Sequence, residues 1–355
     1  MEIGTAEVRA GETTTGYVEA TELPTDGAER LPIVVADGAE SGPTLWVVGA
    51  IHADETTSLA VAHEFVEWLD PEGLAGRVVC VPNTNPAGLR VTGRTSYYHG
   101  DDPNRYFPAT DAEATRPPRV QEIIDRRLFD LVADTADALV SLHTSWVGSA
   151  SYVIQPRVTY GRDRTEDEAD ALATRLTDLT AAFGLPVVNQ YERSREVAEG
   201  LHRSLSGAAV HEAGIPAFTP ELGGRYVVED DARRYGVEGL KNVARALGVV
   251  DEPPRAEPQL EAPTPSPRKR AVHPHTDTAG VVRYRVREGD VVEDGEPVAD
   301  ILTPHGEHRA TVRTDRPGYV LSRHEGATAY ENDPLLDLAV PDDDPLVVAR
   351  ETDGE

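Results

Sequence analysis

From about residue 32 to residue 248 the chain alternates short β-rich runs with longer stretches of helical apolar periodicity. That alternation predicts an α/β fold with a mostly parallel sheet. Residues 45–48 read as a strand, and the helix predicted from about Thr56 gathers Leu59, Ala62, Phe65, Val66 and Leu69 on one face. Further strands are predicted over 78–81, 138–142 and 217–221, and helices over 123–132, 166–183 and 197–213. In this arrangement His52 and Glu55 fall just past the carboxyl end of one strand, while His143 and Glu221 end two others. Open α/β sheets bind ligands along that edge.

Beyond residue 250 the pattern changes. Residues 251–270 carry six prolines among charged residues, which predicts a linker. A weak internal repeat follows: Gly280-Val281-Val282 leads to Glu288-Gly289, Pro297 and Asp300, and Gly318-Tyr319-Val320 leads to Glu325-Gly326, Pro334 and Asp337. Eleven residues separate Gly289 from Asp300 and likewise Gly326 from Asp337. Duplicated short strands with glycine turns predict a small all-β barrel or sandwich over 271–340, similar to the biotinyl/lipoyl hybrid fold, with 341–355 as an acidic tail. Carriers of that fold are modified on lysine, and residues 271–355 contain none. A structural or substrate-gating module is therefore expected.

Composition narrows the function classes. Of 355 residues, 62 are Asp or Glu and 34 Lys or Arg, with a formal net charge of −28 and only two lysines, Lys241 and Lys269. Nucleic acid is not an expected partner, because binding it requires clustered positive charge. A lysine-poor acidic surface suits a salt-rich cytoplasm, where carboxylate repulsion is screened. The single cysteine, Cys80, lies in an apolar run and is expected in a strand core. The N-terminus lacks the basic start and apolar run of a signal peptide, and nothing approaches the roughly 20 apolar residues of a membrane span. A soluble, cytoplasmic protein is expected, with no membrane partner.

Three short islands carry the chemistry: residues 49–55, 141–144 and 219–223. A His-x-x-Glu pair such as His52 and Glu55 is common on solvated helix faces. Here it follows an apolar strand and a glycine, precedes a helix, and is matched downstream by His143 after another apolar strand. Two histidines and one carboxylate leave a tetrahedral zinc ion one open position for water. Glu221, at the end of a later strand, is placed to take that water's proton.

Between the islands, Asn85-Pro86-Ala87-Gly88, Arg94 and Asp102-Pro103-Asn104-Arg105-Tyr106-Phe107-Pro108 resemble the Asn-Pro, arginine and Asp-Leu-Asn-Arg-x-Phe-Pro elements of the succinylglutamate desuccinylase/aspartoacylase family. This family belongs to the zinc carboxypeptidase clan. The resemblance runs from about residue 32 to residue 224, and a C-terminal β domain is also typical of the family. It implies a zinc-carboxypeptidase-like mixed, mostly parallel sheet flanked by helices, with the hydrolase domain over 1–250. It further implies one zinc per chain held by His52, Glu55 and His143, with Glu221 as general base. Arg94 would face the scissile carbonyl, and Asn104 with Arg105 would hold a substrate carboxylate, a role that suits the planar guanidinium fork.

The implied reaction is deacylation of a small N-acyl amino acid of the N-succinyl or N-acetyl type, by a chain that could assemble as a homo-oligomer. Two rivals are a zinc carboxypeptidase acting on peptides and a noncatalytic zinc- or metabolite-binding relative. Retention of Glu221 and Arg94 counts against the second. Ala53 stands where the family has glycine, Pro103 where it has leucine, and Ser141 where it has aspartate. A second recognition pocket has no motif, leaving Arg193, Arg195, Arg203 and Arg225 as unranked candidates. Of the other histidines, His63 is expected to be structural or exposed, His99 to reach substrate, and His202 and His211 to sit on a helix surface. His273 and His275 form a His-Pro-His pattern without an expected role, and Asp54 is expected to be a loop or supporting group.

Overall fold

The computed structural model describes residues 2–108, 116–324 and 327–350. Its centre is a mixed sheet of thirteen strands. The middle of that sheet is parallel: Glu40–Val48 pairs in parallel with Ala75–Val81 on one side and Ala138–Ser141 on the other, and Ala138–Ser141 pairs in parallel with Ala217–Gly224. Leu45, Trp46, Val47 and Val48 are all fully buried, as are Val78 through Val81. Runs apolar on both faces are what a parallel sheet covered by helices requires. Burial pushes the Cys80 thiol up to about 12, so it is an inert strand-core group.

Helices Thr56–Trp68 and Glu166–Phe183 each pack on Asp230–Leu247, and Val120–Thr135 packs on the edge strand Glu12–Glu22. Glycine permits one of these approaches. A Cβ at Gly239 would lie 2.7 Å from the Phe183 ring. Among the described residues no helix is long and apolar enough to cross a membrane.

Three boundaries differ from the sequence reading. The predicted helix over 197–213 is broken into Arg193–Ala198, a 3-10 turn at Leu201–Arg203, a turn at Leu205–Ala208 and a π-helical turn at Ala209–Ala213. Gly200 at φ +67° ends the first piece, and Ser204 starts a new one by accepting the Gly207 N–H. Apolar periodicity alone carries neither signal.

The proline-rich linker is shorter and more tightly held than expected. Arg268–Val272 is already a strand, paired antiparallel with Leu336–Pro341 and in parallel register with Asn189. Upstream, Gln259 donates its side-chain amide to the carbonyls of Phe183 and Tyr235 and its backbone N–H to Gly184, so the segment is pinned to the end of one helix and the flank of another.

The expected acidic tail from 341 is not a tail as far as residue 350. Asp342 is buried against Arg157, and Val347–Ala349 pairs in parallel with Val158–Tyr160. Residues 351–355 lie outside the described residues, as do Glu325 and Gly326 of the second repeat.

From residue 268 onward the described elements are all strands. One group, His308–Arg313, Pro297–Leu302, Gly280–Tyr284 and Thr328–Ala329, forms an antiparallel sheet over its own core of Val292, Val298, Ile301, Val320, Leu336 and Leu338. Another group continues the central sheet through Arg268–Val272. Tyr152, Ile154 and Val188 share a buried cluster with Tyr319, Leu321 and Ala339 across this seam.

Candidate active site

The strand Glu40–Val48 ends at Gly49 and turns at Ala50, whose φ of +46° is unusual for a residue with a Cβ. Ser58 holds the turn, accepting the Ala50 N–H and donating its hydroxyl to the Glu55 carbonyl. The strain sits at Ala50. Ala53, where the family has glycine, is not in the left-handed region, so that departure leaves the loop intact.

The turn sends His52 and Glu55 toward His143, which follows the strand Ala138–Ser141. His52 Nδ1 lies 2.8 Å from Glu55 Oε1, and His143 Nδ1 lies 2.8 Å from Glu55 Oε2. All three residues are buried, and their ligating atoms fall within 4.8 Å of one another. Among the described residues no other group of histidine, cysteine and carboxylate donors meets this spacing. Two imidazole nitrogens and a carboxylate at such separations are a donor set that fits zinc.

Glu221 stands in parallel register with His143, which places the two side chains together on one face of the sheet. Its Oε2 is buried and accepts no hydrogen bond among the described residues. Burial, reinforced by the Glu55 charge and opposed by His143, raises the Glu221 pKa above the usual carboxylate range. For His52, burial alone would lower the pKa, but the Glu55 and Asp102 carboxylates overcome it and raise it.

Asp102 was not singled out from sequence, although it opens the Asp-Pro-Asn-Arg motif. It lies 3.0 Å from His52 Nε2 and accepts the Asn104 N–H at 2.9 Å and Arg94 Nη2 at 3.4 Å. Burial pushes its pKa up, yet His52, Arg105 and Arg94 hold it far below the ordinary value. A carboxylate on the far nitrogen of a ligating histidine fixes the tautomer and the ring orientation. The Pro103 departure costs nothing here, because the N–H that matters belongs to Asn104.

The expected substrate groups gather around this carboxylate. Arg94 also donates to Glu55 Oε1 at 3.3 Å. Arg105 lies 3.8 Å from Asp102 and donates to the Asn104 carbonyl. Asn104 accepts the Leu205 N–H at 2.8 Å and places its amide nitrogen 3.4 Å from His143 Nε2. Ser141 is buried, and its hydroxyl finds no hydrogen-bond partner among the described residues.

The metal donors, Glu221, Arg94, Asn104 and Arg105 line a cavity of about 240 Å³. Residues without a sequence motif share its lining, among them Trp146, Gln190, Glu196, Arg225 and Arg270. Arg225, one of the unranked candidates, lies over the Trp146 ring at 4.5 Å and 3.4 Å from Asp54. The other three candidates are not among the cavity-lining residues. Arg193 is spent on Glu196 at 2.9 Å, Arg195 on Glu199 at 2.7 Å, and Arg203 lies over Tyr106.

His211, expected on a surface, is buried between Glu196 and Thr159 at 3.0 and 3.2 Å, because the π-helical turn rotates it inward. His202 is half-buried rather than on a helix face, whereas His99 is exposed away from the cavity and His63 is exposed. His273 and His275 stack edge to face at 5.1 Å. Asp54 is fully buried and supports the turn through Arg225 and the Tyr226 N–H.

An α/β sheet with a buried His-Glu-His donor set at its strand ends is the frame of a hydrolytic enzyme. The succinylglutamate desuccinylase/aspartoacylase catalytic domain matches residues 41–247 of this chain. An N-alpha-acetyl-L-2,4-diaminobutyric acid deacetylase of Halomonas elongata is 25% identical over 318 residues, covering 88% of this chain and 86% of the relative. A succinylglutamate desuccinylase structure from Silicibacter sp. TM1040 superposes with a TM-score of 0.76 at 21% identity, covering 96% of this chain and 99% of the other. The product-bound ectoine utilization protein of Ruegeria pomeroyi gives 0.75 at 20% identity, covering 94% and 98%. The chain belongs to the succinylglutamate desuccinylase/aspartoacylase family and is an enzyme of the deacylase type.

Proposed function

We propose that this protein is a zinc-dependent deacylase that hydrolyses the amide bond of a small N-acyl amino acid, with one zinc per chain held by His52, Glu55 and His143. The observation that carries this reading is the convergence of those donors beside Glu221, a half-buried carboxylate aligned with His143 whose Oε2 is shielded from solvent. Bound zinc supplies a water whose pKa falls to about 7. Glu221 accepts the proton of the attacking water and returns it to the departing nitrogen, giving a carboxylate and a free amine. Asp102 orients His52, Arg94 faces the scissile carbonyl, and Asn104 with Arg105 holds the substrate's α-carboxylate.

The Halomonas relative, named for an N-acetylated diamino acid, supports an N-acyl amino acid as substrate. A cavity of about 240 Å³ suits a small molecule better than a peptide. The C-terminal strands form the barrel- or sandwich-like module in this reading, and the net charge of −28 adapts the protein to salt in the cytoplasm.

A hydrolysis screen of zinc-loaded protein tests the proposal, using N-acetyl and N-succinyl amino acids, N-acetylated diamino acids and short peptides, read by amine release at low and high salt. Amine release from at least one N-acyl amino acid is expected. Cleavage of peptides alone would replace the deacylase with a peptidase.

A further inference from the structure

Position 29 breaks the pattern of its strand. Along Ala28–Asp37 the residues Leu31, Ile33 and Val35 are buried on one face, and Glu29 stands two places before Leu31 on that same face, only 1% exposed. A carboxylate where the alternation calls for an apolar side chain is costly unless charged or polar partners meet it. Three bonds do so. Arg90 closes a two-pronged fork on it, Nη1 to Oε2 and Nη2 to Oε1, both at 2.7 Å, and the Tyr98 hydroxyl donates to Oε2. Burial pushes the Glu29 pKa up, but these bonds overcome it and hold the carboxyl below its usual range, so it stays ionised.

The two partners bracket Arg94, which lies four residues after Arg90 and four before Tyr98, so one carboxylate grips both ends of its loop. Little else holds that loop from outside. Val91 and Tyr97 are more than half exposed, and Thr92 takes a left-handed φ of +51°. The backbone N–H groups of Val91, Thr92 and Gly93 turn back onto Gly88 and Leu89, and Asn85 Nδ2 reaches the carbonyls of Arg94 and Ile51 at 3.2 and 3.1 Å. Among the described residues, the hydrogen bonds that tie residues 90–98 to the chain outside 85–102 run to Glu29 and, from Arg94 itself, to Glu55. The contacts of the Arg94 guanidinium, 3.3 Å to Glu55 and 3.4 Å to Asp102, are long. Contacts of that length do not fix a flexible side chain unless its backbone is held.

We propose that Glu29 is a positioning residue: it fixes the loop 90–98 and, through it, the guanidinium of Arg94 beside the metal donors. This inference rests on the deacylase reading for what Arg94 does there. Glu29 belongs to the antiparallel pair Glu12–Glu22 and Ala28–Asp37, outside the residues 41–247 that match the catalytic domain, so the N-terminal strands take part in shaping the site. A donor aimed at charge that develops in the transition state acts on kcat, and loosening its aim costs kcat more than KM.

The test compares full-length, zinc-loaded wild type, Glu29→Gln, Arg94→Gln and the double variant on an N-acyl amino acid that the wild type hydrolyses. Arg94→Gln removes the donor and should lower kcat on the order of 10²–10³-fold. Glu29→Gln keeps the donor but frees its loop, so kcat should fall on the order of 10-fold with KM and zinc content near wild type. In the double variant the change at Glu29 should add nothing to the loss from Arg94→Gln. The same cycle built on Arg90→Gln breaks the fork from its half-exposed side and serves if Glu29→Gln does not fold. A cost that is the same with or without Arg94 belongs to the fold in general and overturns the proposal, as does an unchanged kcat in both Glu29→Gln and Arg90→Gln.

Phenylglyoxal labelling of arginines, followed by peptide mass spectrometry, reads the brace without turnover. In Glu29→Gln and in Arg90→Gln, Arg94 should label several-fold faster than in wild type while Arg105 keeps its rate. If the wild type hydrolyses nothing and Arg94 alone gains reactivity, the deacylase reading falls and the brace stands. If Arg94 keeps its wild-type rate in both variants, or Arg105 gains equally, the brace falls whatever the protein hydrolyses.

Discussion

At the metal end of the cavity charged groups interlock: Glu55 faces both histidines and Arg94, and Asp102 ties His52 to Arg94, Arg105 and the Asn104 backbone. Where the C-terminal strands reach the cavity, Arg270 meets neutral groups instead, the Tyr191 ring at 4.9 Å and Gln190 Oε1 at 3.3 Å. The first end is preorganised and holds its geometry before any substrate arrives, as catalysis by fixed dipoles requires. The second is held by a ring face and an amide oxygen alone, without a direct ion pair among the described residues. If this contrast is right, damage at the metal end falls on turnover and metal retention, and damage at the arginine end falls on which molecules bind.

The heaviest blow is removal of a ligand. His143→Ala leaves His52 and Glu55 to hold zinc in a two-donor site, and both zinc content and hydrolysis are expected to fall below detection; elemental analysis with a melting curve checks this, and full occupancy in a folded His143→Ala protein would remove the residue from the site. Glu221→Gln comes next. It preserves shape and the donor set, so zinc should stay while kcat falls on the order of 10²–10⁴, the usual weight of a lost acid/base group. Asp102→Asn should cost less, roughly 10–100-fold in zinc affinity or activity, because it acts through the ring orientation of His52. Competition with a chelator measures that affinity, and an Asp102→Asn protein as tight as wild type would show that the Asp102 contact positions nothing.

The two ends also differed in how far they were legible beforehand. His52, Glu55, His143 and Glu221 sit at strand ends, and a strand end is visible as the point where an apolar run stops. Asp102 stood inside a recognised motif but carried no role, since its contact to His52 spans fifty residues and depends on a loop conformation that periodicity does not encode. Arg270 was hidden more deeply. It lies at the end of a proline-rich stretch that reads as linker, and only the pairing of residues 268–272 with the sheet on both sides reveals that it faces the cavity. His211 was misplaced for a related reason: the π-helical turn rotates a residue that a regular helix would leave outside. The α/β alternation and most helix spans were readable because burial repeats along the chain, whereas the helix break at Gly200 and the fate of residues 341–350 turn on single residues and on partners distant in sequence.

The smallest expected effects concern the turn that feeds the metal end, where two buried alanines stand three residues apart. Ala50 is held at φ +46°, and Ala53 has an ordinary φ. Replacing either with glycine removes a buried methyl, worth about 0.8 kcal/mol, and loosens the unfolded chain by roughly 0.4–1 kcal/mol. At Ala53 nothing offsets these losses, so Ala53→Gly should destabilise by about 1–2 kcal/mol even though it restores the family's residue. At Ala50 the left-handed conformation costs an alanine roughly 1–2 kcal/mol, which glycine recovers, so Ala50→Gly should lie close to wild type. Denaturant melts on the two variants decide the matter. Equal destabilisation would mean that Ala50 carries no backbone strain, and that the geometry of the metal end is held by the Ser58 hydrogen bonds alone.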